Sequence, residues 1–136
     1  MTLVLVRHGS AGDRMLWVGD DRLRPLDKKG RKQAKRLPDL LEGIAIRRIV
    51  SSPYVRCVQT VEPLAEARRL AVEEAPELAE ARAWLEGPGL LAGLLAEDAV
   101  ACVHGGTENA LGFQDRFKKG AVWLFEDTLE RRTILA

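Results

Sequence analysis

The sequence predicts an α/β fold: a three-layer α/β/α sandwich, its sheet mostly parallel, with an antiparallel strand near the C-terminus. Three observations lead there. Leu3 to Val6 is an unbroken apolar run that stops at Arg7, as a strand buried on both faces does. Short apolar runs then alternate with helix-like stretches as far as Val103, the pattern that yields a parallel sheet covered by helices. Finally, Ala121 to Phe125 and Arg131 to Leu135 read as two strands around Glu126-Asp127. Strands joined by so few residues must be antiparallel neighbours, because a parallel return needs a crossover.

Each element has its own signal. Asp27 can cap a helix from Lys28 to Glu42, with Ala34, Leu37, Leu40 and Leu41 as its apolar stripe and a bend at Pro38. Before it, residues 10–25 carry Gly12, Gly19 and Pro25 without a sustained period and read as a long loop. Arg48 to Ser51 is a second strand. Ser51-Ser52-Pro53 then starts a helix over Tyr54 to Arg68, kinked at Pro63. A short strand at Leu70 to Val72, a loop with Pro76, a helix over Leu90 to Ala96 and a strand at Val100 to Val103 continue the alternation.

With 136 residues, 46% of them hydrophobic, the chain suits a single domain over residues 1–136. The 21 Lys and Arg nearly cancel the 20 Asp and Glu, so no global field favours nucleic acid or membrane, and an anionic partner must be captured locally. Residues 22–36 are the exception, with eight basic residues against the single acid Asp27. Such a stretch is a solvated helix face or a docking face for an acidic protein. No apolar run is long enough to span a bilayer and no signal-peptide pattern precedes the first charged motif, so a soluble cytoplasmic protein is expected. Cys57 and Cys102 have neither a CxxC motif nor zinc-site spacing and read as buried or half-buried free thiols.

The chemistry centres on the only two histidines. Each follows a predicted strand and precedes glycine, in Arg7-His8-Gly9 and Val103-His104-Gly105-Gly106. The C-terminal edge of a parallel sheet is where open α/β folds hold their ligands, and an adjacent glycine lets an anion approach the backbone. One such histidine would be read as a core or capping residue; two together point to a site. Arg7 adds an always-charged fork, and Arg56 sits early in the helix after the second strand, where the helix N-terminus and the Ser52 hydroxyl can support the same anion.

These residues resemble those of the histidine phosphatase superfamily, whose members begin with Arg-His-Gly after the first strand. Leu3 to Ser10, Pro25-Leu26 before Gly30, Ser51-Ser52-Pro53 with Arg56, Gln59 and Thr60, and His104-Gly105-Gly106 occur in the family's order and approximate spacing. The short length and Lys118-Lys119-Gly120-Ala121 look most like the SixA-type phosphohistidine phosphatases. The resemblance implies a phosphoglycerate mutase-like fold and a hydrolase whose nucleophile is His8. Arg7, Arg56, His104 and Gly105 would bind the phosphoryl group, and no metal or other cofactor is required. It also implies a general acid: Leu78-Ala79-Glu80 with Trp84-Leu85-Glu86-Gly87 resembles the family's acid segment at a shorter spacing. Glu80 is therefore the candidate, with Glu77 and Glu86 as competitors. The segment between His104 and Lys118 is shorter than in relatives.

Expected partners are a phosphorylated protein or a small phosphate ester. With no room for a capping insertion the pocket should be open, which suits a protein-borne phosphate and argues against a mutase. A cysteine phosphatase would need Arg six residues after Cys102, where Glu108 stands, and a P-loop is absent. The alternative from another class is a catalytically impaired phosphoprotein-binding or interaction module on the same fold.

Overall fold

The computed structural model describes residues 1–136. Strands β1 (Thr2–Arg7), β2 (Arg48–Ser51), β3 (Val72–Glu74), β4 (Ala99–Val103), β5 (Val122–Glu126) and β6 (Thr133–Ile134) form one six-stranded sheet in the order β3-β2-β4-β1-β5-β6. The first four strands run parallel; β5 is antiparallel to β1, and β6 to β5. The predicted antiparallel C-terminal strands are thus found, with β5 one residue later than expected and β6 shorter.

Helices α1 (Lys28–Leu40) and α2 (Val55–Arg68) cover one face and α3 (Ala83–Leu95) the other. Alternation along β1 makes the two cores: Val4 and Val6 pack with Leu37, Cys57, Val61 and Leu64, while Leu3 and Leu5 pack with Leu91, Leu94, Trp123 and Phe125. All five residues of β4 are buried, as a central parallel strand requires.

Several boundaries differ from expectation for local reasons. Helix α1 ends at Leu40, two residues past Pro38, and Leu40 is exposed while Leu41 is buried; the apolar stripe therefore skips one of its predicted members. Helix α2 continues through Pro63, and its end consumes the start of the predicted third strand. Arg69 turns left-handed and the amides of Arg69 and Leu70 bond back to the carbonyls of Glu66 and Ala65, so β3 begins only at Val72. Helix α3 starts seven residues earlier than predicted, at Ala83. Gly87 and Pro88 hide it in the sequence, yet Ala83, Gly87, Leu91 and Leu94 share one buried stripe, and that burial overrides propensity. The long loop at 10–25 contains two single 3₁₀ turns, Arg14–Leu16 and Asp21–Leu23, capped by Asp13 and Asp20.

Asp27 anchors α1 to the edge of β1. Its carboxylate accepts from Gly30 N at the helix start, and also from Ser10 Oγ at 2.6 Å and Gly12 N at 2.9 Å. The Ser10 hydroxyl, with the amides, holds the Asp27 carboxyl down at about 2. Gly30 permits this contact, since a Cβ there would lie 2.0 Å from the Ser10 carbonyl oxygen. Gly30→Ala is therefore expected to cost roughly 1–3 kcal/mol in urea unfolding, an overpacking penalty.

Candidate active site

Parallel pairing sets the site. The β1–β4 register matches Arg7 with Val103, and His8 N donates to Val103 O at 3.1 Å, so His8 and His104 leave the sheet side by side. Their rings lie edge to face with centroids 5.4 Å apart. Arg56 projects from the first turn of α2 towards the same edge, and both it and Arg7 lie close enough to act electrostatically on His8.

His8 is buried. Its Nδ1 lies 2.8 Å from the carbonyl oxygen of Gly9, which can only accept, so Nδ1 carries the proton and neutral His8 presents a lone pair at Nε2. Burial pushes its pKa from 6.5 to about 3, the Gly9 carbonyl opposing and His104, Arg56 and Arg7 adding to the fall. His104 Nε2 is 2.8 Å from Ser52 Oγ and 3.6 Å from Cys57 Sγ, while Tyr54 packs edge-on at 4.5 Å between centroids. The Ser52 hydroxyl thus holds an imidazole, rather than facing an anion as the sequence suggested. Cys57 and Cys102 are buried free thiols.

Four polar groups here have no hydrogen-bond partner within the protein: Arg7 Nε, Arg56 Nε, His104 Nδ1 and Thr107 Oγ1. Buried donors are rarely left unpaired, and donors from cationic and imidazole side chains gathered at one sheet edge suit an oxyanion. Arg7 is steered by Phe117 O at 2.8 Å, and its guanidinium lies flat against Gly105, where a Cβ would come within 2.7 Å of Cζ. That contact is one reason for glycine at 105.

His8, His104 and Arg56 are 4%, 2% and 1% exposed, and the 13–24 loop lies against Arg56. Asp21 accepts from Arg56 through its backbone carbonyl at 2.8 Å and its carboxylate at 3.1 Å, and the same carboxylate takes Arg24 Nε at 2.8 Å. Glu80 joins this group: both its oxygens accept from Arg14 Nη2, at 2.7 and 2.9 Å, and one lies 3.6 Å from Arg56. Glu86 pairs with Arg82, which Glu77 also faces, so of the three acids only Glu80 reaches the arginines of the site.

Sequence reasoning missed Asp21, Arg24 and Arg14, which lie in a stretch without periodicity, and Tyr54 beside His104. Gln59 and Thr60, noted only through the resemblance, have plain tasks. Gln59 Oε1 accepts Leu26 N, and Thr60 Oγ1 accepts Gly9 N at 3.0 Å. Gly120, at φ +77, gives its amide to the carbonyls of Arg7 and His8, tying the Lys118–Ala121 segment to the end of β1 at His8.

Residues 3–88 match the histidine phosphatase superfamily (branch 1). The chain is 44% identical over 79 residues to an 8-oxo-(d)GTP phosphatase of Mycolicibacterium smegmatis, covering 58% of this chain and 24% of that protein. It is 32% identical over 82 residues to the phosphohistidine phosphatase SixA of Escherichia coli, covering 57% and 49%. The chain therefore spans about a quarter and about half the length of these two relatives. In fold it is similar to the protein histidine phosphatase SixA complexed with tungstate, with a TM-score of 0.77 at 24% identity over 98% of this chain and 94% of that one. No helix is long and apolar enough to cross a membrane.

The depressed His8 pKa has a definite consequence for stability. The unfolded chain binds a proton at His8 near 6.5 and the folded chain only near 3, so between these values unfolding takes up a proton and stability falls as pH falls. Urea unfolding from pH 7 to 3 should show a shallower acid loss for His8→Asn than for the parent protein.

Proposed function

Because the chain belongs to the histidine phosphatase superfamily (branch 1), we propose that it is a phosphatase working through a phosphohistidine on His8. The observation that carries this reading is the His8–His104 pair, 5.4 Å apart, with unpartnered side-chain nitrogens of Arg7, Arg56 and His104 beside it. In the first step His8 Nε2 gives its lone pair to phosphorus as the bond to the leaving group breaks, the leaving group departing with that electron pair. In the second step water attacks phosphorus, the N–P bond breaks, and its pair returns to Nε2. The burial that keeps His8 neutral keeps the nucleophile available, and the arginine and His104 donors stabilise charge on the equatorial oxygens.

The substrate proposed is a phosphohistidine-bearing protein. The likeness to SixA supports it. So does Glu80, whose two oxygens are both engaged by Arg14, leaving no free oxygen to protonate a leaving group. An imidazole leaving group needs less protonation than an alkoxide, so this arrangement tells less against a phosphoramidate than against an alkyl ester. A second reading, a nucleoside triphosphate, is favoured by the 44% identity to the 8-oxo-(d)GTP phosphatase. A panel of a phosphohistidine protein, 8-oxo-GTP and a sugar phosphate decides between them.

Acid-free quenching during turnover of a labelled substrate should trap an acid-labile, base-stable adduct on His8, insensitive to chelator and absent in His8→Ala. Protein that binds phosphoprotein but forms no adduct with any donor is an interaction module instead. His104→Ala should retain the nucleophile and lose roughly 100- to 1000-fold in kcat, as loss of an oxyanion donor does. Because Arg14 engages both Glu80 oxygens, Glu80→Gln should slow phosphohistidine and sugar phosphate hydrolysis alike, and a far greater loss on the sugar phosphate alone would make Glu80 its proton donor and count against the choice of substrate.

A further inference from the structure

A cleft of about 820 Å³ lies between α1 and the stretch from Asp115 to Trp123, and neither histidine lines it. Its apolar lining includes Leu37, Leu40, Val122, Trp123 and Ile134, of which Leu40 and Ile134 are 37% and 61% exposed. Arg36, Arg116, Lys118, Lys119 and Arg132 supply cations, against Asp39 and Asp115. Asp115 is already paired with Arg132, whereas Arg36, Arg116, Lys118 and Lys119 take part in no ion pair. Lys28, Lys29, Lys32 and Lys35 extend this positive surface along the exposed side of α1. In a chain of net charge +1, so local an excess selects an acidic partner.

The cleft is built against the catalytic turn. Three of its lining residues hold three consecutive residues of that turn: Gly120 N donates to His8 O, Thr60 Oγ1 accepts Gly9 N and Gln33 Oε1 accepts Ser10 N. Because β5 is antiparallel to β1 with Val122 opposite Val6, the cleft opens at the same sheet edge as His8.

We propose that this cleft docks an acidic polypeptide segment with apolar anchors, carried by the phosphoprotein substrate, an inference that rests on the phosphohistidine-protein reading above. Exposed apolar side chains between unpaired cations match a peptide of that chemistry. A single-stranded nucleic acid needs an aromatic face on which to stack, and Trp123 is 2% exposed. A concave cleft also gives a flat lipid surface little to rest on.

The test is fluorescence anisotropy with a labelled peptide of Glu and Leu, and a Gln and Leu peptide as control. Wild-type protein and His8→Ala should bind the acidic peptide alike, and added salt should weaken binding. The triple variant Arg36→Glu, Lys118→Glu, Lys119→Glu should lose roughly tenfold or more in affinity, and Ile134→Asp should weaken it independently. All four exchanged residues are exposed, and hydrolysis of p-nitrophenyl phosphate should be unchanged in both variants. With the acidic peptide carrying a phosphohistidine, the triple variant should raise KM with kcat unchanged. Equal binding by wild type and the triple variant, equal binding of the control peptide, or displacement by tungstate overturns the proposal. Peptide binding without turnover of any substrate counts against the phosphatase reading and leaves the docking cleft standing; turnover without peptide binding overturns the cleft alone.

Discussion

The parallel pairing of β1 with β4 is the interaction on which the molecule depends. It joins segments almost a hundred residues apart in register, Arg7 beside Val103, and both strands end in a histidine followed by glycine. Each imidazole is then fixed by what lies next to its own strand end: His8 by the Gly9 carbonyl, His104 by the hydroxyl of Ser52 at the end of neighbouring β2. A one-residue slip would exchange the two faces of β1 and put the apolar set of one core into the other.

Burying charge beside an uncharged imidazole calls for compensation. Arg56 is almost wholly enclosed, and an enclosed guanidinium is tolerated only with partners. Asp21 and Glu80 provide them from two separate loops, while Arg14 and Arg24 engage the remaining carboxylate oxygens. Arg56 is therefore held in a network of alternating charge. No carboxylate offsets the burial of His8, which stays neutral.

Much of this was legible in the sequence because it obeys local rules. The apolar run of β1, the Asp27 cap and the two His-Gly steps each carry a signal within a few residues, and together they put both histidines at one sheet edge, where the structure has them. The illegible parts depend on distant contacts. Asp21 has no local pattern to mark it as the partner of Arg56, thirty-five residues away. Helix α3 is disguised by Gly87 and Pro88, whose propensities are outweighed by the stripe they help bury.

The strand order also governs how the chain can acquire its structure. Strands β1 and β2 do not touch; β4 lies between them and is encoded after both. Until residues 99–103 are made, the first half of the chain has two strands with no shared neighbour, and the helices α1 and α2 have only an incomplete surface to cover. Folding must therefore wait for a late insertion at the centre of the sheet, with long-range contacts closing last, a topology that slows folding. The paired histidines then arrive together with the fourth strand rather than accumulating as the chain grows, and a nascent chain cut off before β4 carries His8 with neither its partner histidine nor the strand that holds it.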